Sequence, residues 1–297
     1  MGLSRQSVHQ LLNRRHQAYE KTRQFIEKAE LIRCVHPEMG CRKLALKLRE
    51  AGFGRDKLEG ILLESGFRII YSPNYTKTTH SVRINQFKNL IQGLEINGIN
   101  KVVQTDITYF WMNESFGYLV FIIDVYSRLI VGYHASMGLE SSANMEALDM
   151  MIQLRGAKNL KGLIHHSDKG SQYHSKEYLK ALRDYRIKIS MCDYAWQNAY
   201  TERINRTMKH EYLRHRKIDS LEKLKRHLER DVKAYNTDRP HWSLPQQMAP
   251  ASFEQYINKL PKSMCPKLNI YKENKENMRN EFFLAMRQSD KKIAANK

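Results

Sequence analysis

The sequence predicts an α/β protein: a mixed five-stranded sheet flanked by helices, preceded by an all-helical segment. Three observations predict this. Residues 1–70 carry apolar positions at helical spacing; three β-branched and aromatic runs follow from about 101; beyond them helical and strand patterns alternate.

In the first stretch Phe25, Ala29 and Ile32 recur at helical spacing, and Pro37 ends that helix. Residues 41–51 put Leu44 and Leu48 on one face, with Gly52 as the stop. Residues 55–65 turn Leu58, Ile61 and Leu62 inward and are closed by Gly66. Two short helices joined by a Gly-containing link fit a helix-turn-helix, and equally a small bundle with a solvated basic face. Lys43, Lys47, Arg49, Arg55 and Lys57 supply the outward charge. Residues 71–100 are polar, lack a period and read as a linker with room for one short helix.

Strands are predicted over 102–110, 118–124 and 129–135, an antiparallel meander. A helix over 142–154, a strand over 163–166, a helix over 175–185, a strand over 187–191 and a long helix over 199–215 follow. Asp219, with Glu222 three residues on, predicts a capping box. It opens a last amphipathic helix through Leu221, Leu224, Leu228 and Tyr235. Residues 236–250 are turn-rich, with Pro240 and Trp242 as packing residues that tie this helix to the core. The expected organisation is a helical, helix-turn-helix-like domain (1–70), a linker (71–100), an α/β core (101–258) and a basic tail (259–297).

Fifty Lys and Arg against 31 Asp and Glu leave a formal charge of +19. Such a surplus favours a polyanionic partner, because neutralising phosphates releases condensed counterions. Nucleic acid fits better than a membrane surface. No apolar run approaches the roughly 20 residues of a membrane span, and the N-terminus does not read as a secretory signal. Cys34, Cys41, Cys192 and Cys265 form no CxxC pair, so neither a disulfide framework nor a zinc ribbon is indicated. A cytoplasmic location follows by default.

Three carboxylates stand out by placement. Asp106 lies inside an apolar strand, where Asp is disfavoured and costly to bury unpaired. Asp168 follows the fourth strand, and Glu202 sits near the start of the helix after the fifth. Strand ends are where sites collect in α/β sheets. Hard divalent cations prefer carboxylate oxygens, and two such ions can serve the attacking and leaving oxygens of a phosphoryl transfer. Glu202, Arg206 and Lys209 share one helical face, so a metal carboxylate and DNA-binding cations point the same way. Any one acid alone reads as a solvated charge or cap, as strand-flanked Asp124 illustrates; the set carries the reading.

With these residues in place, the chain resembles the insertion-sequence-three (IS-three) family of bacterial transposases, specifically the integrase-core product of the second reading frame. TDITYF, YLVFIIDVYSRLIVGY, HHSDKGSQYHSKEYLKAL, QNAYTERINRTMKHEY and YNTDRPHWSLPQQMAPASFEQ occur in the family's order. GCRKLALKLREAGFGRDKLEGILLESGFRI resembles the helical domain those proteins carry ahead of the core, so the likeness covers roughly residues 20–258. It implies an RNase H-like core and a DDE triad on Asp106, Asp168 and Glu202, catalytic and metal-binding, with two Mg²⁺ (or Mn²⁺) ions. It places the family's basic residue after the Glu on Lys209. It also implies cleavage at the element's ends, joining of the 3′-OH to another strand, a circular copy of the element, and an upstream-frame protein as partner. Strand transfer needs two ends brought together, so a homo-oligomer on DNA is expected, in the bacterial nucleoid.

Further DNA contacts are expected at Lys169 and Tyr173, in the Gly-containing loop after Asp168, and at Asn198, which alternatively caps the catalytic helix. His165 and His166 read as satisfied strand histidines. Two departures stand against the family pattern. The 33 residues between Asp168 and Glu202 are slightly fewer than usual, and Val103-Gln104 replaces a common Trp before the first acid. The alternatives are a nuclease of the same fold that cuts without joining, and a DNA-binding regulator derived from a transposase.

Overall fold

The computed structural model describes residues 4–49, 53–70, 87–112, 115–139 and 141–271. Helix α1 (Arg5–Val35) begins at Ser4, whose hydroxyl accepts the Ser7 amide. Only Phe25 and Ala29 of its residues are buried. They close a small core with Leu44 of α2 (Cys41–Lys47) and with Leu58 and Leu62 of α3 (Arg55–Glu64). Helix α2 ends at Lys47, with Leu48 as its C-cap, short of the expected Ala51; the Gly52 stop, most of the linker (71–86) and the tail from 272 lie outside the described residues.

After the two-residue strand β1 (Glu95–Ile96), the chain builds its main sheet. β2 (Val102–Met112), β3 (Ser115–Asp124) and β4 (Ile130–Ser136) form the expected antiparallel meander. Helix α4 (Ser141–Arg155) leads to β5 (Ile164–Ser167), α5 (Lys176–Asp184) and β6 (Lys188–Met191). β5 runs parallel to β2, and β6 parallel to β5, so the order across the sheet is β4-β3-β2-β5-β6. This five-stranded mixed sheet is the RNase H-like arrangement.

Central strand β3 is apolar on both faces because both are covered. Val120 and Ile122 meet Ala147, Leu148 and Met151 of α4. Leu119, Phe121 and Ile123 meet the helix α6 (Ala199–Thr207) and the amphipathic α7 (Leu221–Thr237) through Ile204, Leu224 and Leu228. Each such side chain, fully buried, contributes roughly 1.5–3 kcal/mol. Helix α4 comes so close to β4 that a Cβ on Gly132 would lie 2.1 Å from the Ala147 carbonyl oxygen. Gly132→Ala is therefore expected to cost at least about 1–3 kcal/mol, because backbone rather than a side-chain tip must give way. An unchanged urea midpoint would show that α4 can slide.

Several local expectations change. The helix predicted over 199–215 is α6 followed by a π-helical turn (Met208–Tyr212) and a 3₁₀ turn (Leu213–His215). The cap of α7 is Ser220, not Asp219: extended Ser220 aims its hydroxyl at the Lys223 amide, and Asp219 pairs with the Lys223 ammonium at 2.7 Å. Helix α8 (Pro250–Ile257), opened by a proline, was not expected. Nor was β7 (Leu268–Asn269), which pairs with β1 and is too short to carry a period. Pro240 is buried, but Trp242 is half exposed.

Candidate active site

The site is built on β2. Its parallel pairing with β5 sets Gln104 opposite His166. The same register carried two residues further brings Asp168 beside Asp106. Asp168 is steadied by the Gly170 amide, which donates to its Oδ1 at 3.0 Å. A Cβ on Gly170 would sit 3.0 Å from that same oxygen, so a larger residue there would push on the Asp168 carboxylate.

The start of α6 is fastened over β2 by polar bonds. Buried Gln104 donates from Nε2 to the Gln197 carbonyl at 2.9 Å and accepts the Tyr200 amide at 3.2 Å. Asn198 donates to the Thr105 carbonyl at 3.0 Å. Two turns on, Asn205 Nδ2 donates to Asp106 Oδ2 at 2.7 Å. The short run before α6 is tightened by Gln197, whose Oε1 accepts the amides of Asp193 and Tyr194. A slightly short spacing therefore still delivers Glu202, exposed on α6, to the side of β2 that carries Asp106.

The proton affinity of all three acids is raised, and that of Asp106 by its neighbours as well as by burial. Burial first, then the charges of Asp168 and Glu202, push the Asp106 carboxyl up to about 8. Burial raises Asp168 and Glu202 as well. Among the described residues no three His, Cys, Asp or Glu side chains are disposed as a ready metal clasp. The donor chemistry nonetheless fits a hard divalent cation: carboxylate oxygens are gathered where negative charge is poorly solvated, and a cation there would replace a proton.

Models of the integrase core domain match residues 97–195 and 183–250. The 31 kDa protein of insertion element IS600 from Shigella sonnei is 30% identical over 228 residues, which are 74% of this chain and 83% of that protein. The transposase of IS904 from Lactococcus lactis is 32% identical over 161 residues, 53% of this chain and 62% of that one. The chain belongs to the IS3 family of DDE transposases. The transposase InsF of IS3A from Escherichia coli K12 is 28% identical over 158 residues, 51% of this chain and 54% of that one. A solved integrase catalytic core from HTLV-2 covers 56% of this chain and 99% of its own, at 18% identity and a TM-score of 0.42. By its family, the protein is a polynucleotidyl transferase acting in insertion-sequence transposition.

The other expected site residues of the transposase fall into different places. Lys209, in the π turn, donates to Thr108 Oγ1 at 2.8 Å and lies 5.2 Å over the Tyr109 ring, beside Asp106. Lys169 pairs with Asp193 at 3.0 Å. Tyr173 and Asn198 are buried, and Tyr173 OH meets Thr105 Oγ1 at 3.3 Å. Neither presents its side chain to solvent, and Asn198 makes no cap bond. Arg55 and Lys57 are exposed on α3. Lys43 and Lys47, expected to point outward, instead face the catalytic core: Lys43 lies 4.0 Å from Glu211, and Lys47 pairs with Asp238. His165 meets Tyr178 OH and His166 Nδ1 meets Ser190 Oγ, both at 2.8 Å, but the buried His166 Nε2 has no hydrogen-bond partner among the described residues, so the expectation of a satisfied histidine holds for His165 alone.

Tyr271 escaped sequence reasoning. Its hydroxyl accepts the Ala199 amide and the Gln104 Nε2–H, each at 3.0 Å, so the C-terminal segment clasps the first residue of α6. A tyrosine 69 positions beyond Glu202 in a polar stretch carries no local signal. The stacked pair Tyr194 and Trp196, rings 6.3 Å apart and both exposed, flanks the same helix start.

Proposed function

We propose that Asp106, Asp168 and Glu202 are the catalytic carboxylates, and that they hold two Mg²⁺ or Mn²⁺ ions against the scissile phosphate at the element's end. What supports this is the juxtaposition of acids from β2, the end of β5 and α6, tied together through Gln104, Asn198 and Asn205. Bound ions would supply a polarised attacking oxygen and neutralise charge on the leaving one. The chain's own residues do the positioning. Asn205 orients the Asp106 carboxylate, Gly170 orients that of Asp168, and Lys209 brings a cation beside Asp106. The reaction is cleavage of a phosphodiester by water, then attack of the freed 3′-OH on a phosphodiester of a second strand. The substrates are the element's terminal repeats and target DNA. A homo-oligomer assembled on two ends and an upstream-frame protein complete the proposal, in the bacterial cytoplasm at the nucleoid.

A strand-transfer assay tests it, with the element's terminal duplex, Mg²⁺, and either wild type or Glu202→Gln. Joined product from wild type and none from the variant is the expected result. Cleavage without joining would indicate a nuclease, and binding without either reaction a DNA-binding regulator.

A further inference from the structure

We propose that the cavity between α2 and the catalytic helix is a phosphodiester subsite, which grips the DNA backbone about two nucleotide steps from Glu202. This deepens the transposase reading of the acidic site and rests on it.

The cavity is about 360 Å³ and is lined by Lys43 of α2, by Arg203, Arg206 and His210 of the catalytic helix and its π turn, and by Glu211 and Arg239. Its charges do not balance. Arg239 and Glu211 form a two-pronged pair at 2.9 and 2.8 Å and cancel. That leaves Lys43, Arg203 and Arg206. Lys43 lies only at the edge of Glu211, at 4.0 Å, and Arg203 and Arg206 form no ion pair among the described residues. The crowding is felt: burial, then Arg239, with Arg203 adding to it, brings the Lys43 ammonium down to about 8. Cations held together against their repulsion form a standing anion site.

Position identifies the anion. Arg203, Arg206 and His210 lie along one side of the helix that carries Glu202. Glu202 and Arg206 are four residues apart, ~6 Å along the axis, about two nucleotide steps at ~3.4 Å each. A backbone that enters the acidic site therefore passes the cavity, and two guanidiniums suit the oxygens of a phosphate.

The cavity has walls from both domains. Around it, His36 meets Asp238 at 2.6 Å, Glu38 meets His215 at 2.8 Å, and Lys47 pairs with Asp238. This junction is polar, and the apolar core of α1–α3 is separate from that of the sheet. A phosphate gripped by Lys43 and Arg203 together would add a bridge between the domains.

The test uses the full chain and a fluorescein-labelled duplex of the element's terminal sequence, titrated at several salt concentrations. Variants are Arg203→Ala, Lys43→Met, their double, and a control, Lys225→Ala/Arg226→Ala, on the exposed face of α7. Arg203 is exposed, so its variant keeps the fold, and thermal melting verifies this. Each cavity variant is expected to lose about 3- to 10-fold in affinity at low salt and to lower the slope of log K against log salt by about one. The double variant should lose less than the product of the single losses, because both cations serve one phosphate. The control should change affinity less than about twofold. Losses in the cavity variants that multiply independently and match the control would reduce the cavity to general surface charge and overturn the subsite. Wild-type joining with unaltered binding by the variants would also overturn it and leave the transposase reading intact. A wild type that neither binds nor joins the duplex would overturn both.

Discussion

Asp106→Asn is expected to abolish strand transfer, by about 10³-fold or more, and at the same time to raise the melting temperature of the metal-free protein above pH 8. The two effects share one cause. Asp106 sits under α6 near two other acids, and its carboxyl is pushed from 3.8 up to about 8. A raised pKa means that the folded state binds the proton more tightly than the unfolded chain. The contribution to stability is therefore complete below about 4, declines as pH rises toward 8, and is gone above it. An amide in the same place does not ionise and keeps a polar atom for Asn205. The stability difference between variant and wild type should grow from pH 4 to 8 and then level. A gain of about 1–3 kcal/mol would raise the melting temperature by several degrees. Adding Mg²⁺ at pH 8.5 should stabilise wild type and leave the variant nearly unmoved, since a ligand stabilises only what it binds. Thermal melts across pH, with and without Mg²⁺, read this directly. A variant less stable than wild type at pH 8.5 would mean that Asp106 is satisfied as an ion by the protein alone.

Arg155→Met is expected to be the most destabilising single change outside the hydrophobic core, by about 3–5 kcal/mol. The Arg155 guanidinium reaches Glu254 at 2.6 and 2.7 Å and Asp124 at 3.3 Å, with the side chains of Arg155 and Asp124 7% and 0% exposed. Asp124 also accepts the amides of Asn100, Tyr126 and Ser127, and Ser127 donates to Glu254 at 2.6 Å. The cluster joins the end of β3, the end of α4 and α8. Removing the arginine leaves two enclosed carboxylates facing each other without a cation. Urea unfolding at pH 7 should show the full loss. The loss should shrink toward pH 5, because protonating either acid relieves the repulsion. A pH-independent loss would assign the cost to packing alone.

Asp106 and Asp124 mark the limit of reading the chain as a string. Both are acids in apolar strand sequence, and nothing local separates them. Their partners do: Asp124 pairs directly with an arginine 31 residues on, whereas Asp106 has no ion pair among the described residues, bonds the Asn205 amide and feels two other acids more strongly than the Lys209 ammonium nearby. The main strands and the helices flanking them were legible because burial against a layer imposes a period of 2 or 3.6 on the residues themselves. The π turn, the Ser220 cap, α8 and the β1–β7 pair were not, because they are decided by single hydrogen bonds or by segments too short for a period. Lys43 and Lys47 read as outward charge on an isolated helix, yet Glu211 and Asp238, far along the chain, lie against that face.

The sequence by itself determined the sheet-and-helix order and the family, and it singled out the three acids we propose as catalytic, since patterning, motif order and residue type are properties of the string. The tertiary structure alone decided that Gln104, Asn198 and Tyr271 fasten the start of α6, that Asp124 is structural, and that Lys43 shares a cavity with Arg203. Each of those depends on atoms brought within a few ångströms across tens to hundreds of residues, a distance over which local propensity carries no information.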